Sequence, residues 1–264
     1  MQTFLLTDLD RALRPHDIPD DGVVMIHSSL LPLGLMDCVP PRALPTALLQ
    51  GLRDLLGPQV TLVVPTFTFG FCQGELFDRE LTPSRGMGAF SECLRRHPDA
   101  LRSPHPIQSI AALGPRAQQI CHRDTESAYG PGSAFESLLY LDATILLLGC
   151  SFEAISLVHL LEERQDVPYR CWRSFTAPYR DGRVDEPRTA RFFVRRPDIP
   201  SSVHLAPIAR LLLDRGQLQT TYLGAGPIQS CRALHFARAG LDLLRQDPRA
   251  LLQSPPPLRY GAPS

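Results

Sequence analysis

Three side chains able to move a proton share one short segment. Ser156, His159 and Glu162 are spaced by three residues, and in a helix such neighbours meet on one face. A hydroxyl, an imidazole and a carboxylate placed this way supply a hydrogen-bond donor, a base with a model-compound pKa of about 6.5, and a group to orient it. The same spacing also describes a solvated histidine on an amphipathic helix, and the residues alone leave both readings open. His105 stands between Pro104 and Pro106, which hold its backbone extended and narrow the direction of its ring. That suits a ligand contact or a rigid turn equally. His27, Ser28 and Ser29 end an apolar run and offer hydroxyls and backbone N–H groups to a phosphate or carbonyl, without the G-x-x-x-x-G-K pattern of a P-loop. Gly224-Ala225-Gly226 runs into Pro227, so no dinucleotide fingerprint follows from it.

The elements around these residues read as alternating strands and helices. Residues 7–13, with Asp8 and Asp10 early, read as a short amphipathic helix. Val23 to Ile26 is a buried strand that delivers His27, Ser28, Ser29 and Leu30 at its carboxyl end, where open α/β sheets place ligands. Leucines at helical spacing from Leu44 to Leu56 close at Gly57-Pro58, and a second apolar strand, Val60 to Val64, leads to Thr66. Strand, helix and strand in succession are the local signature of parallel pairing. Residues 67–85 lack a period and form a long connection of the kind usually tied to function. Further helices are expected over 88–96, 116–122 and 133–139, the last capped by Ser133 with Glu136 three residues on. Strands are expected at 109–113 and 143–148. Residues 151–164 read as the helix that carries His159, and 165–202 as an exposed insertion with a hairpin arm over 189–194. Residues 205–214 and 230–244 read as helices, with a short strand and turn over 222–226. These elements make one compact α/β domain, residues 1–253, with parallel pairing in its sheet. The tail, 254–264, is rich in Pro and expected to be disordered.

Composition removes several function classes. The 27 basic and 27 acidic residues cancel, so no global field gathers nucleic acid or an anionic membrane. All basic residues are Arg, which excludes a lysine Schiff base and a P-loop lysine. Seven scattered cysteines without a C-x-x-C pair fit reduced thiols better than a disulfide framework or structural zinc. No apolar run reaches the ~18–20 residues of a membrane span and no leader pattern opens the chain, so a cytoplasmic protein is expected. A hydrolase would want the G-x-S-x-G elbow, which the sequence lacks. A metalloenzyme would want clustered ligands, and the eight histidines are scattered.

Several blocks together resemble the aminoglycoside 3-N-acetyltransferase family. They are Val24 to Leu30, Thr61 to Thr68, Thr82-Pro83-Ser84 with Met87-Gly88, Arg102 to Pro106 with Ser109, Tyr129 to Phe135, and Leu146 to Gly149 followed by Ser156 to Glu162. They occur in family order from about residue 20 to 170. The resemblance implies an α/β/α sandwich around a mixed, largely parallel sheet, acetyl-CoA as donor, no metal, a small-molecule amine as acceptor and direct transfer without an acyl-enzyme. It makes His159 the base, Glu162 its neighbour and Ser156 the support of the thioester oxygen. His27, Ser28, Ser29, Leu30, Ser84, Met87, Gly88 and Ser109 match the surface that receives the CoA arm. Thr66, His105 and Arg170 are the expected acceptor-facing residues. The family's aminoglycoside-modifying members carry acidic residues where this chain has Arg195-Arg196-Pro197-Asp198. An acceptor less cationic than an aminoglycoside follows, such as a secondary-metabolite or amino-acid amine whose carboxylate or phosphoryl group suits Arg. An aminoglycoside resistance enzyme and a non-catalytic homologue that binds only the carrier arm are the alternatives. An acyl carrier protein shares the pantetheine arm and is a further candidate donor.

Overall fold

A computed structural model describes residues 3–200 and 202–253. At its centre lie β2 (Val23–Ser28), β4 (Thr61–Pro65) and β8 (Thr144–Leu148), apolar nearly throughout and buried on both faces. Continuous apolar runs of this kind belong to strands covered from both sides. β2 pairs in parallel with both β4 and β8. On one side β7 (Ile110–Leu113) is antiparallel to β4, and β6 (Leu101–Arg102) to β7. On the other, β12 (Gly226–Arg232) is antiparallel to β8, and β11 (Gln219–Leu223) to β12. The mixed sheet runs β11-β12-β8-β2-β4-β7-β6. Its parallel part is confined to the three central strands, since each parallel link requires a crossover of about a dozen residues or more.

Alternate residues of the central strands feed two cores. Met25, Val63, Ile145 and Leu147 face one side, packed under α4 (Ala117–Cys121), α5 (Ala134–Tyr140), α6 (Val158–Arg164), α7 (Ala206–Asp214) and α8 (Ala233–Gln246). Val24, Ile26, Leu62, Val64 and Leu146 face the other, under α1 (Leu6–Leu13), α2 (Leu44–Leu56) and α3 (Gly88–Arg95). The period-2 alternation of the strands thus builds the two helical layers. Ser133 caps α5 as its sequence suggests, its Oγ accepting from Glu136 N at 3.1 Å. A minor parallel pair joins β1 (Thr3–Phe4) to β3 (Leu35–Met36).

The insertion is more regular than its composition implies. β9 (Arg170–Asp181) and β10 (Val184–Arg195) form a twelve-residue antiparallel hairpin, to which β5 (Phe77–Asp78) adds in parallel. Its two-residue turn starts at Gly182 with φ +59, a conformation glycine adopts without strain. Pro178 and Pro187 oppose each other, so both missing N–H donors fall at one pair of the ladder. Two other local expectations need correction. Residues 151–164 are not one helix: a single turn, Phe152–Ala154, is followed by extended Ile155 and then α6. His159 is therefore the second residue of its helix, and Ser156 precedes it. Ser230 to Arg232 belong to β12 rather than to α8. The Pro-rich tail lies outside the described residues.

Candidate active site

The carboxyl ends of the parallel strands converge because β8 turns away sharply. Gly149 has φ +68, and a Cβ there would come within 2.4 Å of the Ser29 carbonyl. Ser29 N donates to Leu148 O at 2.9 Å, which ties the end of β2 to the end of β8. The chain after Gly149 then passes over the strand ends and brings Ser156 and His159 to His27. These three line one cleft of about 240 Å³ with Phe67, Met87 and Arg195.

His159 is held by a buried ion pair. Its Nδ1 lies 2.6 Å from Glu162 Oε2, and the Glu162 side chain is wholly buried. Arg170 Nε stands 2.9 Å from the same oxygen, while its Nη1 donates to Phe193 O at 3.0 Å. Arg170 Nη2 also comes within 3.2 Å of His159 Nδ1. One nitrogen cannot donate to Glu162 and accept from Arg170 at once, and the shorter contact to the carboxylate decides for donation. That assignment leaves Nε2 as the unprotonated nitrogen, free to accept a proton. Burial opposes ionisation of Glu162, but the hydrogen bond and charge of His159, together with Arg170, outweigh it and hold the carboxyl below its ordinary range. The Tyr169 phenol is pushed upward by burial and by the Glu162 charge, so it stays neutral. Tyr129 meets the imidazole edge-on at 5.6 Å.

Around this pair the candidate residues separate into two groups. His27 Nε2, Ser28 Oγ and Ser156 Oγ are buried with no protein partner, and burial pushes His27 down to about 4, so it is neutral at physiological pH. Unpartnered buried polar atoms are costly and call for a ligand group. Met87 lines the cleft, and Gly88, which opens α3, lies beside the Ser28 carbonyl, where a Cβ would make an ordinary contact at 3.4 Å. Ser29 is exposed and Leu30 half-buried beside them.

Other candidates are spent inside the protein. Ser84 gives its N–H and its hydroxyl to Glu92 Oε2 at 3.1 and 2.9 Å. Ser109 is fully buried, donating to Thr66 O at 3.0 Å and accepting from Arg102 Nε at 2.9 Å. Thr66 is equally buried, with its hydroxyl 3.0 Å from that of Ser109. His105 accepts the Gln108 N–H at Nδ1, 3.1 Å away, and its Nε2 lies 3.3 Å from Glu126 O. Burial first, then Arg188, pushes His105 down to about 4. In this arrangement the polar groups of Thr66, Ser109 and His105 are engaged by other groups of the protein. Arg170, expected at the acceptor, pairs with Glu162 and also lines a second crevice beside His159.

A second crevice shares His159, with Ser127, Tyr129, Glu163, Phe192 and Phe193 among its walls. The sequence pattern singles out none of these as acceptor-facing. Glu163 is the one that spacing could reveal, being four residues after His159 on the same helix face. Phe192 is not, because it arrives on β10 from across the hairpin. Among the described residues no three His, Cys, Asp or Glu side chains gather as a metal-ligand set, and no helix is long and apolar enough to cross a membrane.

Fold and site together define a three-layer α/β protein with a carboxylate-held histidine at the carboxyl edge of its parallel strands. Residues 25–245 match the family described as aminoglycoside 3-N-acetyltransferase, and the chain belongs to that family. Aminoglycoside N(3)-acetyltransferase IV of Salmonella sp is 33% identical over 165 residues, 62% of this chain and 60% of that protein. Aminoglycoside N(3)-acetyltransferase VII of Streptomyces paromomycinus is 28% identical over 191 residues, 65% of each. The matched region thus spans about 60–65% of the length of these curated relatives. Among solved structures, AAC-IIIb with CoASH superposes with a TM-score of 0.82 at 22% identity, covering 97% of this chain and 100% of that one. A histidine-to-alanine mutant of AAC(3)-IVa in complex with a gentamicin gives 0.79 at 26% identity, covering 97% and 93%.

Proposed function

We propose that this protein transfers the acetyl group of acetyl-CoA to the amine of a small molecule by direct attack, with His159 as general base. The observation that carries the reading is the 2.6 Å contact between His159 Nδ1 and buried Glu162, which leaves Nε2 unprotonated on a residue that lines an open cleft. An alkylammonium must lose a proton before it can attack, and Nε2 takes it. The nitrogen lone pair then forms the N–C bond at the thioester carbonyl, and the oxyanion that develops needs a donor within hydrogen-bond reach. Ser156 Oγ, buried and unpartnered in the same cleft, is the candidate. As the C–S bond breaks, the imidazolium returns its proton to the departing thiolate, and the remaining excess proton on the new amide nitrogen passes to the freed Nε2 and then to solvent. Glu162 stabilises the imidazolium in between, and Arg170 keeps Glu162 ionised.

The strand ends suit the pantetheine arm. His27, Ser28 and Ser156 leave buried polar atoms there for its amides, and Met87 and Phe67 supply an apolar wall. The CoASH-bound relative supports free acetyl-CoA as donor over a carrier-bound acyl group. For the acceptor we read a less cationic amine than an aminoglycoside. Arg195 lines the cleft and has no acidic partner among the described residues, while Asp198 is taken by Arg196 at 3.0 Å. The gentamicin-bound relative favours the second reading, an aminoglycoside acceptor. Thiol release from acetyl-CoA across a panel of amines separates the two. Small zwitterionic or anionic amines should outperform kanamycin-like polycations, whereas efficient gentamicin acetylation would overturn the acceptor reading. Absence of thiol release with every amine would overturn the activity itself.

A further inference from the structure

The hairpin that sets Arg170 against Glu162 brings a second guanidinium with it. In the β9–β10 ladder Arg195 stands directly opposite Arg170. Residues opposite each other in an antiparallel pair project from the same face, their Cβ atoms about 4.5–5.5 Å apart. Arg170 reaches from that face to the carboxylate that holds His159. Arg195 therefore projects to the same side, and it lines the cleft of about 240 Å³ with His159, Ser156 and His27. Like charges placed so destabilise a sheet unless each is compensated. Arg170 has Glu162 at 2.9 Å. Arg195 has no acidic partner among the described residues, and Asp198, three positions on, is held by Arg196 at 3.0 Å.

The other ionisable groups on the cleft leave that charge alone. Glu153 is the one carboxylate among its lining residues; it accepts the Leu205 N–H at 2.9 and 3.0 Å and stands 3.1 Å from His204 Nδ1. His27 is neutral at physiological pH, burial having pushed it down to about 4, and His159 carries its proton on Nδ1. The free charge facing the cleft is thus positive. An amine with several ammonium groups meets no free carboxylate here, whereas an amine that also bears an anion is held by its other end. The donor does not supply that anion, because the pantetheine arm is uncharged and its phosphates lie at the end far from the thioester. Apolar walls from Phe67, Met87 and Leu205 strengthen any ion pair formed between them. The cleft is smaller than the ~300–1,000 Å³ of sites for drug-sized ligands and is shared with the thioester, so it suits an acceptor of amino-acid size.

We infer that the acceptor is an amino acid, its carboxylate bound by Arg195 and its amine set before Nε2 of His159. The inference rests on the proposed acetyl transfer and adds no chemical step to it: Arg195 binds and positions, and His159 moves the proton. A guanidinium grips both oxygens of a carboxylate through parallel N–H donors, which fixes the direction of the amine as well as its place.

The test compares free amino acids with their carboxamides, which keep the amine and the side chain but lose the negative charge. For the best amino-acid acceptor, kcat/KM should exceed that of its carboxamide by about ten- to hundredfold, the range of a hydrogen bond to a charged group. The carboxamide's amine is the less basic and the easier to deprotonate, so such a preference does not come from proton removal. Arg195→Gln, at an exposed position, should raise KM for the acid and bring the ratio to within about twofold while KM for acetyl-CoA holds. Arg195→Lys should keep part of the preference, since the charge stays and the two-pronged grip is lost. Equal turnover of acid and carboxamide, a preference that survives Arg195→Gln, or a rise in KM for acetyl-CoA in its place overturns the inference and leaves acetyl transfer standing. Binding gives a readout that does not require catalysis. Calorimetric titration of amino acids into protein saturated with CoA should show saturable binding that Arg195→Gln abolishes, which supports the subsite even if no thiol is released. Neither binding nor turnover with any amino acid overturns it, whatever other amine the protein acetylates.

Discussion

At the scale of single residues, the site turns on which partner each nitrogen and oxygen has. His159 gives Nδ1 to Glu162 and keeps Nε2 for the cleft, so the proposed activity makes a definite kinetic demand. His159→Ala should lower kcat by ~10²–10⁴-fold, with partial relief at high pH or with amines of low pKa, and should leave CoA affinity by calorimetry nearly unchanged. Near-normal turnover over a wide pH range would make the histidine structural. Ser156→Ala should cost ~10²–10³-fold without relief from pH, as expected when an oxyanion donor is lost. Glu162 and Arg170 behave as a unit because both are buried. Glu162→Gln alone strands the Arg170 charge and should cost about 3–5 kcal/mol in chemical denaturation. Pairing it with Arg170→Met should recover much of that loss, since no unpaired charge remains. A double variant as unstable as the single would show that the ion pair is not what the carboxylate supports.

At the scale of elements, the turn after β8 sets the site's geometry. Gly149 is the one residue that lets the chain leave β8 at φ +68 while passing the Ser29 carbonyl. Gly149→Ala carries a backbone strain of ~1–3 kcal/mol and must also displace the end of β2. Thermal denaturation should therefore fall, and CoA binding should weaken with it because His27 and Ser28 sit on that strand end. A variant destabilised but with unaltered CoA affinity would uncouple the turn from the site. The apolar strands 23–26, 60–64 and 143–148 are legible in the sequence because burial on both faces leaves an unbroken apolar run. The 170–195 hairpin is legible only as the arm over 189–194, because Arg, Asp and Pro mask the rest of its two strands. The His159 helix reads too long, since Ile155 breaks it without any Gly or Pro to mark the place.

At the scale of the whole molecule, ligand and proton binding should both move the folding equilibrium. CoA at ~100 times its dissociation constant should add ~2.7 kcal/mol of stability, and the absence of any thermal shift at millimolar CoA would remove the donor assignment. Three buried histidines set the pH response. His16, His27 and His105 are each pushed down to about 4 in the folded protein, by burial above all. The unfolded chain takes up protons near pH ~6.5 that the folded one refuses until about 4, so stability is full above ~6.5 and falls progressively as pH drops through that window. Denaturation midpoints measured from neutral pH down into the acid range should decline accordingly. A flat profile would mean that these imidazoles meet water or a counter-ion when folded.

The family blocks, the two-sided burial of the central strands and the Ser156-His159-Glu162 spacing are all present in the linear order of residues, because each depends on near neighbours or on a short repeat. Glu162 as the partner of His159 is likewise a local fact, three residues apart on one helix. What folding alone decided depends on distant chain. Thr66, Ser109 and His105 carry the right chemistry for ligand contact, yet each is satisfied by groups from a strand or loop up to 43 residues away. Arg170, eight residues beyond Glu162 and on the hairpin, is set against it by the fold, because a buried carboxylate without a cation is costly. The second crevice exists only because β10 folds back over β9 and sets Phe192 beside the helix that precedes the whole hairpin, a contact that no local pattern encodes.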